Sequence, residues 1–519
     1  MSHIDMEDSP PAGFRILDLF AGPGGLDVAA DVLGHQVTGI EWDTGACATR
    51  RAAGMNTFQG DVRRYRAAFF PYAQVLTGGP PCQTFTVAGH GAGRRSLDQV
   101  LGYIRRLHEA VRTGDHEWKE TFRTWRSISE ELRRKELKAQ DVKARKRKVD
   151  ELRAVKRKAL KLGLERLGNS ADEVKNLMKR FNDVPQNLDF RDDELDGLLK
   201  EFSDLNDEHA ALKNRLEELG DERTGLVLQP LWWVIERSRR PGSEPYEAVI
   251  LEQVPAVLPV WEEYAKVLAS LGYRTGTQLM YTEAFGVPQT RRRAVLTARL
   301  DRAAILGGAR LRPGDLPTIP ETHERYQPKE RPASRSGAAL AEPLPMEPPK
   351  ASLESPKAPW VPMEAALKRA REIKPELPER PPFTVISNYG TGGVSDARGR
   401  RDHDVPSATI TGKVSRNRVV LKDTDTDLAR FLPAEAGVLQ TFPVAYPWEG
   451  NDVSQQIGNA VPPRLALHVL RHVLEPELSD EEARTRMKQA TADLEAWTPG
   501  EPVEIRRHGD WKGHPLTGR

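Results

Sequence analysis

The stretch Asp18-Leu19-Phe20-Ala21-Gly22-Pro23-Gly24-Gly25 decides how the rest of the chain reads. Upstream, Arg15 to Phe20 has the composition of a buried strand, and downstream Leu26 to Leu33 has helical spacing. A strand feeding a glycine turn into a helix lets backbone approach a ligand closely. Taken alone, the glycines fit a structural turn equally well. Working outward, Val37 to Ile40, Ala73 to Thr77, Glu247 to Leu251 and Ala294 to Thr297 read as further strands. Strands alternating with helices predict an α/β fold built on a doubly wound, mostly parallel sheet.

Polar groups follow the strands at regular places. Glu41 lies at the end of the second strand, where a carboxylate can accept from ribose hydroxyls, and Trp42 offers a flat face for an adenine ring. Asp61, after Gly60, is placed to accept from the adenine amine. With Gly22, Gly24 and Gly25 these residues describe a nucleoside-cofactor pocket. The chain has no Gly-x-x-x-x-Gly-Lys-Ser/Thr run, which disfavours a nucleoside triphosphatase. In Gly78-Gly79-Pro80-Pro81-Cys82-Gln83-Thr84-Phe85-Thr86 a cysteine leaves a strand on a loop stiffened by two prolines. That presents a thiol, as a nucleophile requires. The other cysteine, Cys47, reads as an inert small residue.

In this order, Asp-Leu-Phe-Ala-Gly-x-Gly-Gly, Glu41-Trp42-Asp43, Gly60-Asp61 and Pro81-Cys82-Gln83 resemble the motifs of DNA cytosine carbon-5 methyltransferases. Phe285-Gly286-Val287-Pro288-Gln289-Thr290-Arg291-Arg292-Arg293 resembles the family's Gln-x-Arg-x-Arg motif. Gln456-Ile457-Gly458-Asn459-Ala460-Val461-Pro462-Pro463 resembles its last one. Six motifs in family order are far more specific than any one of them. The resemblance implies the class I S-adenosylmethionine-dependent methyltransferase fold, with S-adenosylmethionine as cofactor and duplex DNA as substrate.

It also implies roles. Cys82 would add to cytosine carbon 6, and Glu252 would protonate ring nitrogen 3. Arg291 and Arg293 would hold the base carbonyl, the glutamate and a nearby phosphate, because planar guanidiniums do this well. Phe20, Pro81, Asn459 and Val461 would line the cofactor pocket, core packing serving equally for Phe20 and Val461. Gln83, Thr86 and Gln289 would contact DNA. Where the family has Glu-Asn-Val, this chain has Glu252-Gln253-Val254. The longer amide alters that loop's hydrogen bonding, not the reaction.

The α/β pattern is interrupted. Residues 121–180 hold twenty Lys and Arg against nine acids, while 181–220 hold four against twelve. Leu195, Leu198, Phe202, Leu205, Leu212, Leu216 and Leu219 keep a heptad seam. Ser170 and Glu173 form a capping-box pattern. A helical, coiled-coil insertion is predicted over 113–220. Its arms either neutralise each other or rest the basic arm on DNA, and a homodimer or a partner protein is a further use. Catalytic segments are predicted at 13–112, 221–305 and 426–475, with a polar tail at 476–519. Residues 306–425 combine a Pro-rich, largely irregular linker with a small target-recognition domain. Its candidate readers are Asn388 to Gly393, Arg398, Arg400, Arg401, Lys413, Arg416 and Arg418, which suit guanine edges, phosphates or plain solvation.

The net charge of +2 carries no global nucleic-acid signal. No apolar run is long enough to span a bilayer, the first residues do not resemble a secretory signal, and two cysteines fit a reducing compartment. A cytoplasmic protein, nucleoid-associated if bacterial, is expected, without a metal. The expected function is sequence-specific DNA cytosine methylation of the bacterial or phage restriction–modification kind. Methylation of an RNA cytosine such as that of tRNA, and a non-catalytic DNA-binding regulator, are the alternatives.

Overall fold

A computed structural model describes residues 13–81, 92–113, 170–173, 175–176, 226–239, 242–302, 315–327, 356–387 and 399–507. Cys82, Gln83, Thr86, 388–393, Arg398 and the heptad leucines lie outside the described residues. The chain falls into two compact units, Met1–Trp118 with Leu226–Arg519, and Lys119–Gly225. In the second, Ser170 and Glu173 form the capping box: the Glu173 carboxylate accepts from Ser170 N at 2.8 Å and Oγ at 2.7 Å.

The first unit is built on an eight-stranded sheet. Its strands are β1 (Arg15–Leu19), β2 (Gln36–Glu41), β3 (Thr57–Gln59), β4 (Val75–Gly78), β5 (Ala248–Gln253), β6 (Tyr273–Tyr281), β7 (Arg292–Leu300) and β12 (Arg506–Arg507). The spatial order is β12-β3-β2-β1-β4-β5-β7-β6. All pairings are parallel except those of β7, which runs against both β5 and β6. The run Ala248-Val249-Ile250-Leu251 is buried on both faces, as a central strand covered by helices on both sides requires. Helices α1 (Gly25–Val32), α2 (Thr44–Ala52), α3 (Ala92–Thr113), α4 (Gln229–Arg239) and α5 (Leu258–Ser270) belong to this layered body. The two prolines Pro462 and Pro463 start α9 (Pro463–Leu474), whose Leu467 and Leu470 share one apolar core with Val28, Ile250 and Phe285.

A second, antiparallel sheet orders β11 (Asp427–Leu428), β10 (Arg418–Leu421), β8 (Phe383–Ile386) and β9 (Arg400–Asp402). Helices α6 (Met363–Ile373), α7 (Pro433–Leu439) and α8 (Val453–Asn459) share its core through Met363, Leu367, Leu439 and Ile457.

One expectation is corrected, and one segment that the sequence left without assignment gains structure. The Pro-rich stretch is not irregular throughout, because Met363-Glu-Ala-Ala-Leu-Lys-Arg-Ala-Arg-Glu-Ile373 forms α6 between Pro362 and Pro375. These are strong helix formers, and prolines bound them rather than interrupt them. The polar tail carries α10 (Asp480–Ala496), opened by a Ser479/Glu482 capping box. Its Ala490 and Leu494 reach the core, Trp497 donates to Asp31 at 2.8 Å, and β12 then extends the sheet beside β3.

Candidate active site

Four parallel strands end side by side, and their register brings the motif residues into one row. Leu19 pairs with Ile40 and Gly78, Gly78 with Leu251, and Glu41 with Gln59. Phe20, Glu41, Gly79 and Glu252 are therefore all at carboxyl ends of neighbouring strands. The chain reverses its winding between β1 and β4, which is where a doubly wound sheet opens a crevice.

On the β1–β2 side the glycine turn is held by Glu41. Its Oε2 accepts from Gly22 N at 2.6 Å, and its Oε1 accepts from Trp42 N at 2.8 Å and Asp43 N at 2.7 Å. Burial raises the Glu41 pKa against these bonds, which favour the charged form. Phe20 takes φ 62°, the left-handed region, and so stores backbone strain at the strand exit. Gly22 has φ 56° and open space where a Cβ would stand, a cradle that any side chain would fill. Gly25 sits the opposite way, since a Cβ there would meet the Val461 carbonyl oxygen at 2.1 Å. That glycine docks α1 directly on the last motif. Trp42 is 54% exposed beside the turn, and Asn459 is exposed with its amide oxygen accepting from Gln455 at 2.9 Å.

A nucleoside cofactor fits this part of the site. Three of the four lone-pair positions of Glu41 are filled by backbone, leaving room for a ribose hydroxyl, and the indole face is open. Asp61 is different from expectation. It caps the turn after β3 through Arg63 N at 2.9 Å, and both its oxygens are held by the Arg63 guanidinium at 2.7–3.0 Å. Asp61 thus has a structural partner in the place where an adenine amine was expected.

On the β4–β5 side, Arg293 Nε lies 2.5 Å from Glu252 Oε1, with both side chains less than one-fifth exposed. Burial lowers the Arg293 pKa, and the Glu252 carboxylate opposes that. A Cβ on Gly79 would stand 3.6 Å from Glu252 Oε2, so Glu252 borders the strand exit that leads through Pro81 to Cys82. Gln253, where the family has Asn, donates to the Pro80 carbonyl and accepts from Val254 N at 2.6 Å. Its extra methylene is used to tie the end of β5 to that same loop.

Two residues expected to meet substrate are buried joints instead. Arg291 is 2% exposed and donates to the carbonyls of Ile410 (2.9 Å), Gly458 (3.0 Å) and Ala460 (3.4 Å). Burial first, and then Arg293, drive its pKa down. Gln289 is fully buried, donating to Gln440 Oε1 at 2.9 Å and accepting from Ile410 N at 2.7 Å. Both fasten the entry to β7 to Ile410, between β9 and β10, and to the ends of α7 and α8. Gln440 completes this joint, donating to Ile457 O at 2.7 Å.

Of the candidate readers, Arg400 pairs with Asp425 and Arg418 with Asp427 at 2.8 Å. Arg401 lies 5.0 Å over the Tyr326 ring, while Lys413 and Arg416 are exposed. A further pair is invisible in the sequence: Arg50, fully buried, bonds Asp27 through two contacts of 2.6 and 2.9 Å beneath the glycine turn. Cys47 is buried, its thiol pushed up to about 12 by burial and then by Glu41, as suits an inert residue.

The strand order with its reversed β7, and the glycine turn facing an acidic strand end, define a class I S-adenosylmethionine-dependent methyltransferase fold. Within it, the family model of C-5 cytosine-specific DNA methylases matches residues 14–159 and 244–475, and the chain belongs to that family. It is 32% identical over 91 residues to the type II methyltransferase M.HhaI of Haemophilus parahaemolyticus, covering 17% of this chain and 28% of that protein. It is 28% identical over 113 residues to M.AquIA of Picosynechococcus sp., covering 19% and 44%. The matches thus span less than half the length of these relatives. The crystal structure of S. pombe Dnmt2 methyltransferase is similar at a TM-score of 0.43 and 13% identity, over 90% of this chain and all of that one. No helix among the described residues is long and apolar enough to cross a membrane.

Proposed function

We propose that this protein transfers a methyl group to carbon 5 of cytosine in a specific duplex DNA sequence, within a type II modification system. The observation that carries the proposal is the Glu252–Arg293 pair, set beside the strand exit to Cys82 at the open end of the sheet. Glu41, Trp42, the cradle at Gly22 and the Gly25–Val461 contact would hold S-adenosylmethionine, which would supply an electrophilic methyl.

Cytosine carbon 5 is a poor nucleophile. The Cys82 thiolate adds to carbon 6, forming a carbon–sulfur bond and pushing the ring's electrons toward carbon 5. Glu252 gives a proton, or a strong hydrogen bond, to nitrogen 3, where charge accumulates. Arg293 keeps that carboxyl oriented. Once carbon 5 carries the methyl, nitrogen 3 returns its proton to Glu252, and loss of the carbon-5 proton restores the double bond and expels the thiolate. The base must leave the helix to reach the site. Gln253 sets the loop that presents Cys82, and Arg291 and Gln289 position rather than react.

The test is a long duplex of mixed sequence carrying 5-fluorocytosine, whose carbon 5 has no proton to lose. With S-adenosylmethionine present, the protein should form a denaturation-resistant adduct at Cys82, abolished by Cys82→Ala. A folded, cofactor-binding protein that forms no adduct would overturn the mechanism.

A further inference from the structure

Beside the Glu252–Arg293 pair the surface carries an arginine–aromatic ladder that the mechanism does not use. Arg292 is the cross-strand partner of Tyr281, and both lie at the same sheet end as Glu252. The exposed Arg292 guanidinium sits 5.1 Å from the Tyr281 ring centre, and Arg325 sits 4.0 Å from the same ring. The next residue, Tyr326, carries Arg401 of β9 at 5.0 Å on its ring and packs edge-on against Trp360. The ladder therefore runs from the catalytic strand end to the second sheet. Glu321 is shared by Arg325 at 2.7 Å and Lys357 at 3.0 Å, one carboxylate against two cations.

Stacking uses the face of a guanidinium and fixes its plane, while N–H donors stay available for an acceptor; Arg325 gives Nε and Nη2 to Glu321 and offers Nη1. Among acceptors, a phosphate diester suits such donors, and a row of them suits a nucleic-acid strand. We propose that Arg292, Arg325 and Arg401 form a phosphate-tracking strip that holds the backbone flanking the flipped cytosine. This rests on the reading that the protein acts on DNA. It predicts sequence-independent affinity, because phosphates carry no base information. The competing role is mechanical: the stacks could only cement residues 315–327 onto β6 and β7.

The two roles separate in the salt dependence of binding to duplex DNA. Each lost phosphate contact lowers the slope of log affinity against log salt by about 0.9. The double variant Arg325→Ala/Arg401→Ala should therefore lower the slope by about 1.8, equally on target and unrelated duplexes. Should it fail to fold, Arg292→Gln/Arg401→Gln is expected to do the same. A folded double variant that keeps the wild-type slope overturns the strip. Methyl transfer by the wild type is scored on the same duplex. A reduced slope without wild-type transfer sustains the strip and removes the catalytic reading. An unchanged slope with transfer does the reverse, and no DNA binding by the wild type overturns both.

Discussion

Arg293 and Glu252 meet where β5 and β7 run antiparallel, with Arg293 Nε 2.5 Å from Glu252 Oε1. Neither group is far from solvent, yet each is largely enclosed, so the pair is a held geometry rather than a solvated surface contact. Glu252→Gln keeps the shape and removes the proton donor. Single-turnover methyl transfer should fall by about 10²–10⁴-fold. A loss under about tenfold would remove Glu252 from the acid role.

Arg291 bridges three carbonyls with one fork, and Lys cannot reproduce that with a single ammonium. Arg291→Lys should lower stability by about 2 kcal/mol, because buried carbonyls lose their donors. Denaturant unfolding checks this, and an unchanged midpoint would show that the joint is slack.

Asp18 is buried under the glycine turn, where it accepts from Thr77 Oγ1 at 2.7 Å. Burial first, and then Asp27, raise its pKa to about 7. An unfolded aspartate titrates near ~3.9. The stability this group contributes is thus fully present below that value and is lost as pH rises through the folded one. Between about pH 5 and about pH 8 the wild type should lose thermal stability that Asp18→Asn retains. Parallel pH profiles would contradict the shift.

Trp42 is 54% exposed and contributes little to the core, so its removal tests binding cleanly. Stacking on a base is worth about 1–3 kcal/mol. Trp42→Ala should weaken S-adenosylmethionine binding by about tenfold in calorimetry, with the melting midpoint preserved. Unaltered affinity would move the adenine elsewhere.

What was legible in the sequence was local. Residues 15–25 announce strand, turn and helix by composition alone. The misreadings were tertiary. Gln289 and Arg291 have residue types suited to DNA, and only the packing of Ile410, Gln440 and Gly458 against them turns both inward. Asp27 and Arg50 lie 23 positions apart, and nothing in their spacing pairs them. α6 was hidden by the prolines around it. α10 was hidden by its polarity, although Ser479 and Glu482 already spelled its cap. Tyr281, Arg325 and Arg401 are brought together from segments with no shared pattern.

Transfer of methyl groups to cytosine carbon 5 in DNA is read out by bisulfite sequencing of DNA from a host lacking cytosine methylation that expresses this chain. Protected cytosines confined to one short sequence motif are expected, with full conversion when Glu252→Gln replaces the wild type. Full conversion with the wild type, soluble and binding S-adenosylmethionine, would contradict the transfer.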